Sequence, residues 1–223
     1  MVILIPLCLC SAFVYVLEYR KKTYQSALLF KTLASLFFVL YALFTHDRAA
    51  SADLIVWGLV FGALADVFLG LKRVVPKYGN AAYLFGVLLF QTGHIAYLIA
   101  IARYAKQPLL WILLSFVFSF FLIRWIMSQI SADKVYRLFG IVYISVITAM
   151  NFVAIGALIH TPHAFTGMFQ AGAVFFLISD ILLILNNFSS HSSHRRHMIY
   201  IMFYYAGQLL IAHSIRHVSE MIG

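Results

Sequence analysis

Asp66 and Asp180 are the residues from which a chemical reading starts. Each is the only acidic side chain in its apolar stretch: GLVFGALADVFL from Gly58 to Leu69, and GAVFFLISDILL from Gly172 to Leu183. A carboxylate in hydrocarbon costs roughly 2.5–3.5 kcal/mol on insertion scales, so such a residue faces the protein interior or a water-filled cavity. Two carboxyls in one apolar enclosure can divide general-acid and general-base work between them. The same residue type also serves proton or cation relays in transporters. In a third, purely structural reading each Asp ties its helix to a neighbour.

The other polar groups inside apolar stretches are few. His94, Tyr204, Tyr205, Gln208, Asn151 and Lys31 are the candidates for substrate binding, and Gln91, Gln170 and His213 complete the set. His94 shares a helical face with Gln91 and Tyr97. It stands ~20 Å from the predicted cytoplasmic end of its helix, against ~8 Å for Asp66, which argues against direct contact between them. Lys31 lies near the end of its stretch, where it snorkels to the interface or meets a lipid phosphate. The tract His191-Ser-Ser-His194-Arg-Arg-His197 reads as a loop of solvated histidines, and His160 and His163 read alike. With no complete ligand set, neither metal nor cofactor is expected. No Gly-rich phosphate loop, nucleophile elbow or Cys-x-x-Cys pair occurs.

The elements that position these residues follow from composition. The 223 residues are 64% hydrophobic and 10% charged. A soluble domain needs ~25% charged residues to face water. The mean hydropathy of +0.95 agrees. Apolar runs fall at Val2–Leu17, Ala27–Phe44, Leu54–Leu71, Ala81–Ala102, Leu109–Ile123, Leu138–Leu158, Thr166–Leu185 and Met198–Ile215. At ~20 residues per span they nearly exhaust the chain. The expected fold is an all-α polytopic membrane protein, with about eight transmembrane helices in one compact bundle over residues 1–223. The net charge of +9 sits in short loops and forms no continuous patch, so nucleic acid is not an expected partner. Cys8 and Cys10, two apart in the first run, read as neither a disulfide nor a zinc pair. That run has no basic segment before it and does not read as a signal peptide.

The two aspartate stretches align at an offset of 114 residues, matching Gly58 with Gly172, Asp66 with Asp180 and Leu69 with Leu183. The register continues without a gap, so that Phe90-Gln-Thr-Gly93-His94 meets Tyr204-Tyr-Ala-Gly207-Gln208. Four helices separate the copies, so both run the same way and the repeat is parallel. Its halves are expected at about 1–107 and 108–223. Gly58, Gly62, Asp66 and Gly70 also form a stripe of small residues where a neighbouring helix can approach and turn Asp66 inward.

On these residues the chain resembles the YhhN family, also called the transmembrane protein 86 or lysoplasmalogenase family. The resemblance rests on the Gly58–Leu69 segment, Phe90-Gln-Thr-Gly93-His94-Ile-Ala-Tyr97, Gly172 through Ser179-Asp180, and Tyr204-Tyr205-Ala-Gly207-Gln208. It implies hydrolysis of the vinyl ether bond of lysoplasmalogens to a fatty aldehyde and glycerophosphoethanolamine or glycerophosphocholine. A lysophospholipid substrate and the lipid bilayer are the implied partners, and the oligomeric state stays open. Vinyl ether cleavage begins with protonation of the β-carbon and ends with attack of water on an oxocarbenium ion, steps that two aspartates can serve. The rival readings are a small secondary transporter, a metal-dependent intramembrane hydrolase using Asp66, Asp180 and His94, and a non-catalytic scaffold.

Basic residues fix the orientation. The odd loops and their flanks hold Arg20, Lys21, Lys22, Lys31, Lys72, Arg73, Lys77, Arg124, Lys134, Arg137, Arg195 and Arg196, leaving Arg48, Arg103, Lys106 and Arg216 opposite. The positive-inside rule puts the odd loops in the cytoplasm and both termini outside, in a bacterial inner (plasma) membrane. With Cys8 and Cys10 replaced, an impermeant thiol reagent on intact cells should label Ser219→Cys and spare Ser192→Cys. The reverse pattern would invert the topology.

Overall fold

The computed structural model describes residues 1–46, 49–190, 192–218 and 220. Arg48, His191 and Ser219, assigned above to loops or to the chain end, lie outside the described residues. Eight α-helices follow one another: α1 (Leu4–Arg20), α2 (Tyr24–Thr45), α3 (Ala50–Val74), α4 (Gly79–Ala102), α5 (Pro108–Gln129), α6 (Lys134–His160), α7 (Ala164–Phe188) and α8 (His194–Ser214). No strand occurs among the described residues. The last seven helices are long and apolar enough to cross a membrane. α1 has 17 residues, or ~25 Å at 1.5 Å per residue. That falls short of a ~30 Å hydrocarbon core, and α1 packs on α2 and α8 as the eighth member of the bundle.

Most helices outrun the apolar stretches that announce them. α3 extends to Ala50 and Val74 and α6 to Lys134 and His160, because polar end residues are solvated at the interface while the backbone ladder continues. The helices stop at caps and breakers. Ser193 accepts the Arg196 amide at 3.1 Å and starts α8, and the His163 side chain caps α7 with Thr166 returning the bond. Two readings of the sequence are corrected here. Gly79 and Asn80, which precede the apolar run expected from Ala81, already belong to α4. His194 to His197 form the first turn of α8, and His197 is buried, its ring 4.2 Å from that of Tyr19 and 5.1 Å from that of Tyr200.

The most extensive helix contacts are α3 with α4 and α7 with α8. Both depend on glycine. A methyl group on Gly93 would stand 2.9 Å from the Gly58 carbonyl oxygen, and one on Gly172 would stand 2.8 Å from that of Gly207. The backbones therefore touch where no side chain fits. These two crossings are separated by the 114-residue offset found in the sequence. α2 packs on α8 and α4 packs on α6, closing the bundle around the aspartate helices. α5 is outermost, buries only Ser115, Ser119 and Ile126, and turns Leu113, Phe116, Val117, Phe120 and Phe121 outward.

Gly93→Leu and Gly207→Leu should each lower the apparent unfolding temperature in detergent, since overpacking costs about 1–3 kcal/mol. Gly140→Leu is the control, because nothing lies within 4 Å of its added carbon. Equal melting of all three variants would remove the glycine crossings as a determinant of stability.

Candidate functional site

The glycine stripe of α3 places Asp66. A Cβ on Gly62 would meet the Gln208 side-chain nitrogen of α8 at 2.8 Å, and one on Gly70 would meet a Leu28 methyl of α2 at 2.6 Å. Between these approaches Asp66 is driven against α2 and α8 and is 1% exposed. Lys31 Nζ lies 2.9 Å from its Oδ1. Its Oδ2 accepts from the Ser35 hydroxyl at 2.6 Å and the Tyr204 hydroxyl at 2.7 Å. Gln208 Nε2 donates to the Tyr204 hydroxyl at 3.3 Å, and Tyr97 donates to Gln208 Oε1 at 2.9 Å. The Tyr205 hydroxyl donates to the Lys31 carbonyl at 3.1 Å. One polar network thus joins α2, α3, α4 and α8.

Asp180 has a different setting. Tyr143 of α6 donates to its Oδ2 at 2.7 Å. Its neighbour Ser179 donates to the Tyr200 carbonyl at 2.9 Å, fixing α7 on α8. Asp180 and Tyr143 line a cavity whose remaining wall is mostly apolar, including Val87, Phe90, Ile126 and Ile144. A second cavity is lined by Lys31, Lys72 and Arg73 together with tyrosines. Leu69, Tyr83 and Leu183 belong to both walls, so the apolar and basic cavities adjoin. Asp66 stands one turn before Leu69 and lines neither cavity itself; its partner Lys31 stands on the basic wall. Both cavities extend to helix ends, at Phe188 of α7 in the first and Tyr24 of α2 in the second. Asp66 is eight residues before Val74 and Asp180 eight before Phe188, ~12 Å at 1.5 Å per residue.

The structure therefore gathers Lys31, Tyr204, Tyr205 and Gln208 around Asp66. Lys31 does not snorkel, because a buried carboxylate holds it at 6% exposure. His94 stays apart from Asp66, as its depth requires. Its ring packs 4.6 Å from that of Phe176 and 5.3 Å from that of Tyr143, so it supports the partner of Asp180. Asn151 is not brought to the site. Its amide donates to the Ile147 carbonyl one turn back, and it lines neither cavity. Ser35 and Tyr143 were missed. Ser35 carried a signal, being one turn from Lys31 on the same face. Tyr143 carried none among the other aromatics of its apolar run. No group of three or more His, Cys, Asp or Glu able to hold a metal gathers among the described residues.

The YhhN family model matches residues 26–215. The chain belongs to the YhhN family. No solved structure matches it. The YhhN span contains Lys31, Ser35, Asp66, Tyr143, Asp180 and Tyr204, and leaves out only α1 among the helices.

Lys31→Met would leave the Asp66 carboxylate with hydroxyl donors and no opposite charge. Removing one partner of a buried pair costs about 3–5 kcal/mol, whereas removing both charges is far milder. Thermal unfolding in detergent should show a large loss for Lys31→Met and recovery of most of it in Lys31→Met/Asp66→Asn. A Lys31→Met protein melting with the parent would show that the pair does not hold the helices together.

Proposed function

We propose that this YhhN protein hydrolyses the vinyl ether bond of lysoplasmalogens, releasing a fatty aldehyde and glycerophosphoethanolamine or glycerophosphocholine. The observation that carries the reading is a pair of buried aspartates in unlike settings, Asp180 on the wall of an apolar cavity and Asp66 paired with Lys31 on the wall of the basic cavity that adjoins it. Three donors, one of them an ammonium, converge on Asp66, and this is the environment of a carboxylate. Asp180 has one hydroxyl partner among the described residues and lines the apolar wall, which is the environment of a carboxylic acid able to give up a proton.

The reaction then runs in balanced proton transfers. Asp180 gives its proton to the β-carbon of the vinyl ether, and the π electrons form that C–H bond. The resulting oxocarbenium ion is stabilised by the two carboxylates. Water adds to the cationic carbon and passes a proton to Asp66. The hemiacetal breaks as its ether oxygen takes that proton from Asp66 and its hydroxyl proton returns to Asp180. Aldehyde and glycerol hydroxyl leave, and both aspartates are restored. Lys31 holds Asp66 and lies on the basic cavity wall, and Tyr143 orients Asp180. In this reading both cavities open at the cytoplasmic ends of the helices and both termini lie outside, as the basic flanks require.

Asp66→Asn and Asp180→Asn each remove a proton-transfer group while keeping its shape. A positioned acid or base is worth about 10²–10⁴-fold in rate, so each variant should lose at least that much aldehyde release, read by mass spectrometry on the purified protein. Groups acting as a unit are not additive, so the double variant should be little worse than either single one. A folded Asp180→Asn protein with near-parental turnover would end the acid–base reading.

A further inference from the structure

The basic cavity contains two cations that the proposed reaction does not use. Lys72 and Arg73 close α3 and line this cavity with Lys31. Lys31 is neutralised by Asp66, but among the described residues neither Lys72 nor Arg73 has a carboxylate within ion-pair distance. Lys72 is half-buried, and its ammonium is held 4.2 Å from the centroid of the Tyr83 ring. A partly desolvated cation over a ring is positioned rather than free. Tyr83 is also one of three residues shared with the apolar cavity, so this ammonium marks the seam between the two.

We propose that Lys72 and Arg73 form a phosphate-binding site for a single-chain phospholipid whose hydrocarbon chain fills the adjoining apolar cavity. The inference rests on the lysolipid reading for the identity of the chain and extends it to the head group. An arginine fork and an ammonium complement a phosphodiester, which accepts through its unesterified oxygens. With phosphate at the ends of α3 and chain along Val87, Phe90 and Ile144, the glycerol crosses the seam at Leu69 and Leu183. The first bond of the chain then falls beside Asp180. The same arrangement explains the tyrosines of the basic cavity, Tyr15, Tyr19, Tyr24 and Tyr200, whose rings and hydroxyls suit the apolar-to-polar boundary of a lipid.

The test is direct binding to the full chain in nanodiscs, with no cleavage required. The probes are a 1-O-alkyl-lysophosphocholine, the matching 1-O-alkylglycerol, glycerophosphocholine and inorganic phosphate. The parent should hold the alkyl-lysophosphocholine roughly 10- to 100-fold more tightly than the alkylglycerol, the range of one or two hydrogen bonds to charged groups. Lys72→Gln/Arg73→Gln should abolish that preference and leave alkylglycerol binding unchanged, which also reports an intact fold. Glycerophosphocholine and inorganic phosphate should compete only weakly. Equal binding of the two lipids by the parent would overturn the proposal, as would a preference that survives in the variant. Displacement of the lysolipid by inorganic phosphate at lower concentration than by glycerophosphocholine would overturn it in favour of a free-phosphate site. If the lipid preference holds and no vinyl ether is cleaved, the head-group site is supported and the proposed reaction is lost.

Discussion

The ion pair between Lys31 and Asp66 is the constraint on which the rest of the structure depends. Neither charge survives unpaired in an apolar bundle, and even a good pair recovers its desolvation cost only when the remaining lone pairs are also satisfied. Ser35 and Tyr204 satisfy them from α2 and α8. α2, α3 and α8 must therefore meet at one depth. The glycines of α3 follow from this requirement, since only small residues let Gln208 and Leu28 come close enough to fix the approach. Tyr97 and Gln208 extend the same bonding into α4. The network sets the register of four helices in a medium where apolar contact between helices specifies little.

The two aspartates stand 114 residues apart in aligned stretches, yet the aligned neighbours differ in a way that separates their chemistry. Tyr204, which donates to Asp66, aligns with Phe90, which has no hydroxyl and lines the apolar cavity with Asp180. Gln208, which steadies Tyr204, aligns with His94, which packs among rings. Asp66 is thus surrounded by donors from α2 and α8, whereas Asp180 has hydrocarbon where Asp66 has Tyr204. Pairs of titratable groups whose surroundings differ in this way are how one site holds an acid and a base together. Tyr143 gives Asp180 a single orienting bond, enough to aim the carboxyl without matching a full charge.

What the sequence revealed depended on whether a signal was local. Hydropathy marked every helix, because a spanning segment must satisfy its own backbone and carry an apolar surface over its whole length. It placed the ends poorly, since the interface tolerates Lys134 or His194 inside a helix as readily as outside one. Asp66 and Asp180 stood out because a lone carboxylate in hydrocarbon is costly whatever surrounds it. Their partners were harder to see. Lys31 lies 35 residues before Asp66, and its position near the end of an apolar run suits a snorkelling lysine equally well. Tyr143 resembles any tyrosine until the opposite helix is known. Asn151 is the converse case: its side-chain nitrogen bonds its own helix, its Oδ1 meets no hydrogen-bond partner among the described residues, and it lines neither cavity.

The depth of the aspartates bears on what kind of molecule the bundle serves. Secondary transporters place their sites near the bilayer midplane, where neither side has access at once, and build them on broken helices. Here α3 and α7 are unbroken through their aspartates, and both carboxyls stand about a third of the way in from the same helix ends. A site there lies nearer one end of the bundle than the other. It also matches the anatomy of a single-chain ether lipid, whose head group rests at the interface and whose first chain bond lies just beneath the glycerol. In the proposed reading the basic cavity takes the head group and the apolar cavity the chain, with Asp180 on the wall of the second and Lys31 of the Asp66 pair on the wall of the first. A proton-coupled carrier would need its carboxyls to face alternately to both sides. The Lys31 ammonium, Ser35 and Tyr204 instead hold Asp66 in one orientation, and a fixed carboxylate suits the proposed bond cleavage in place.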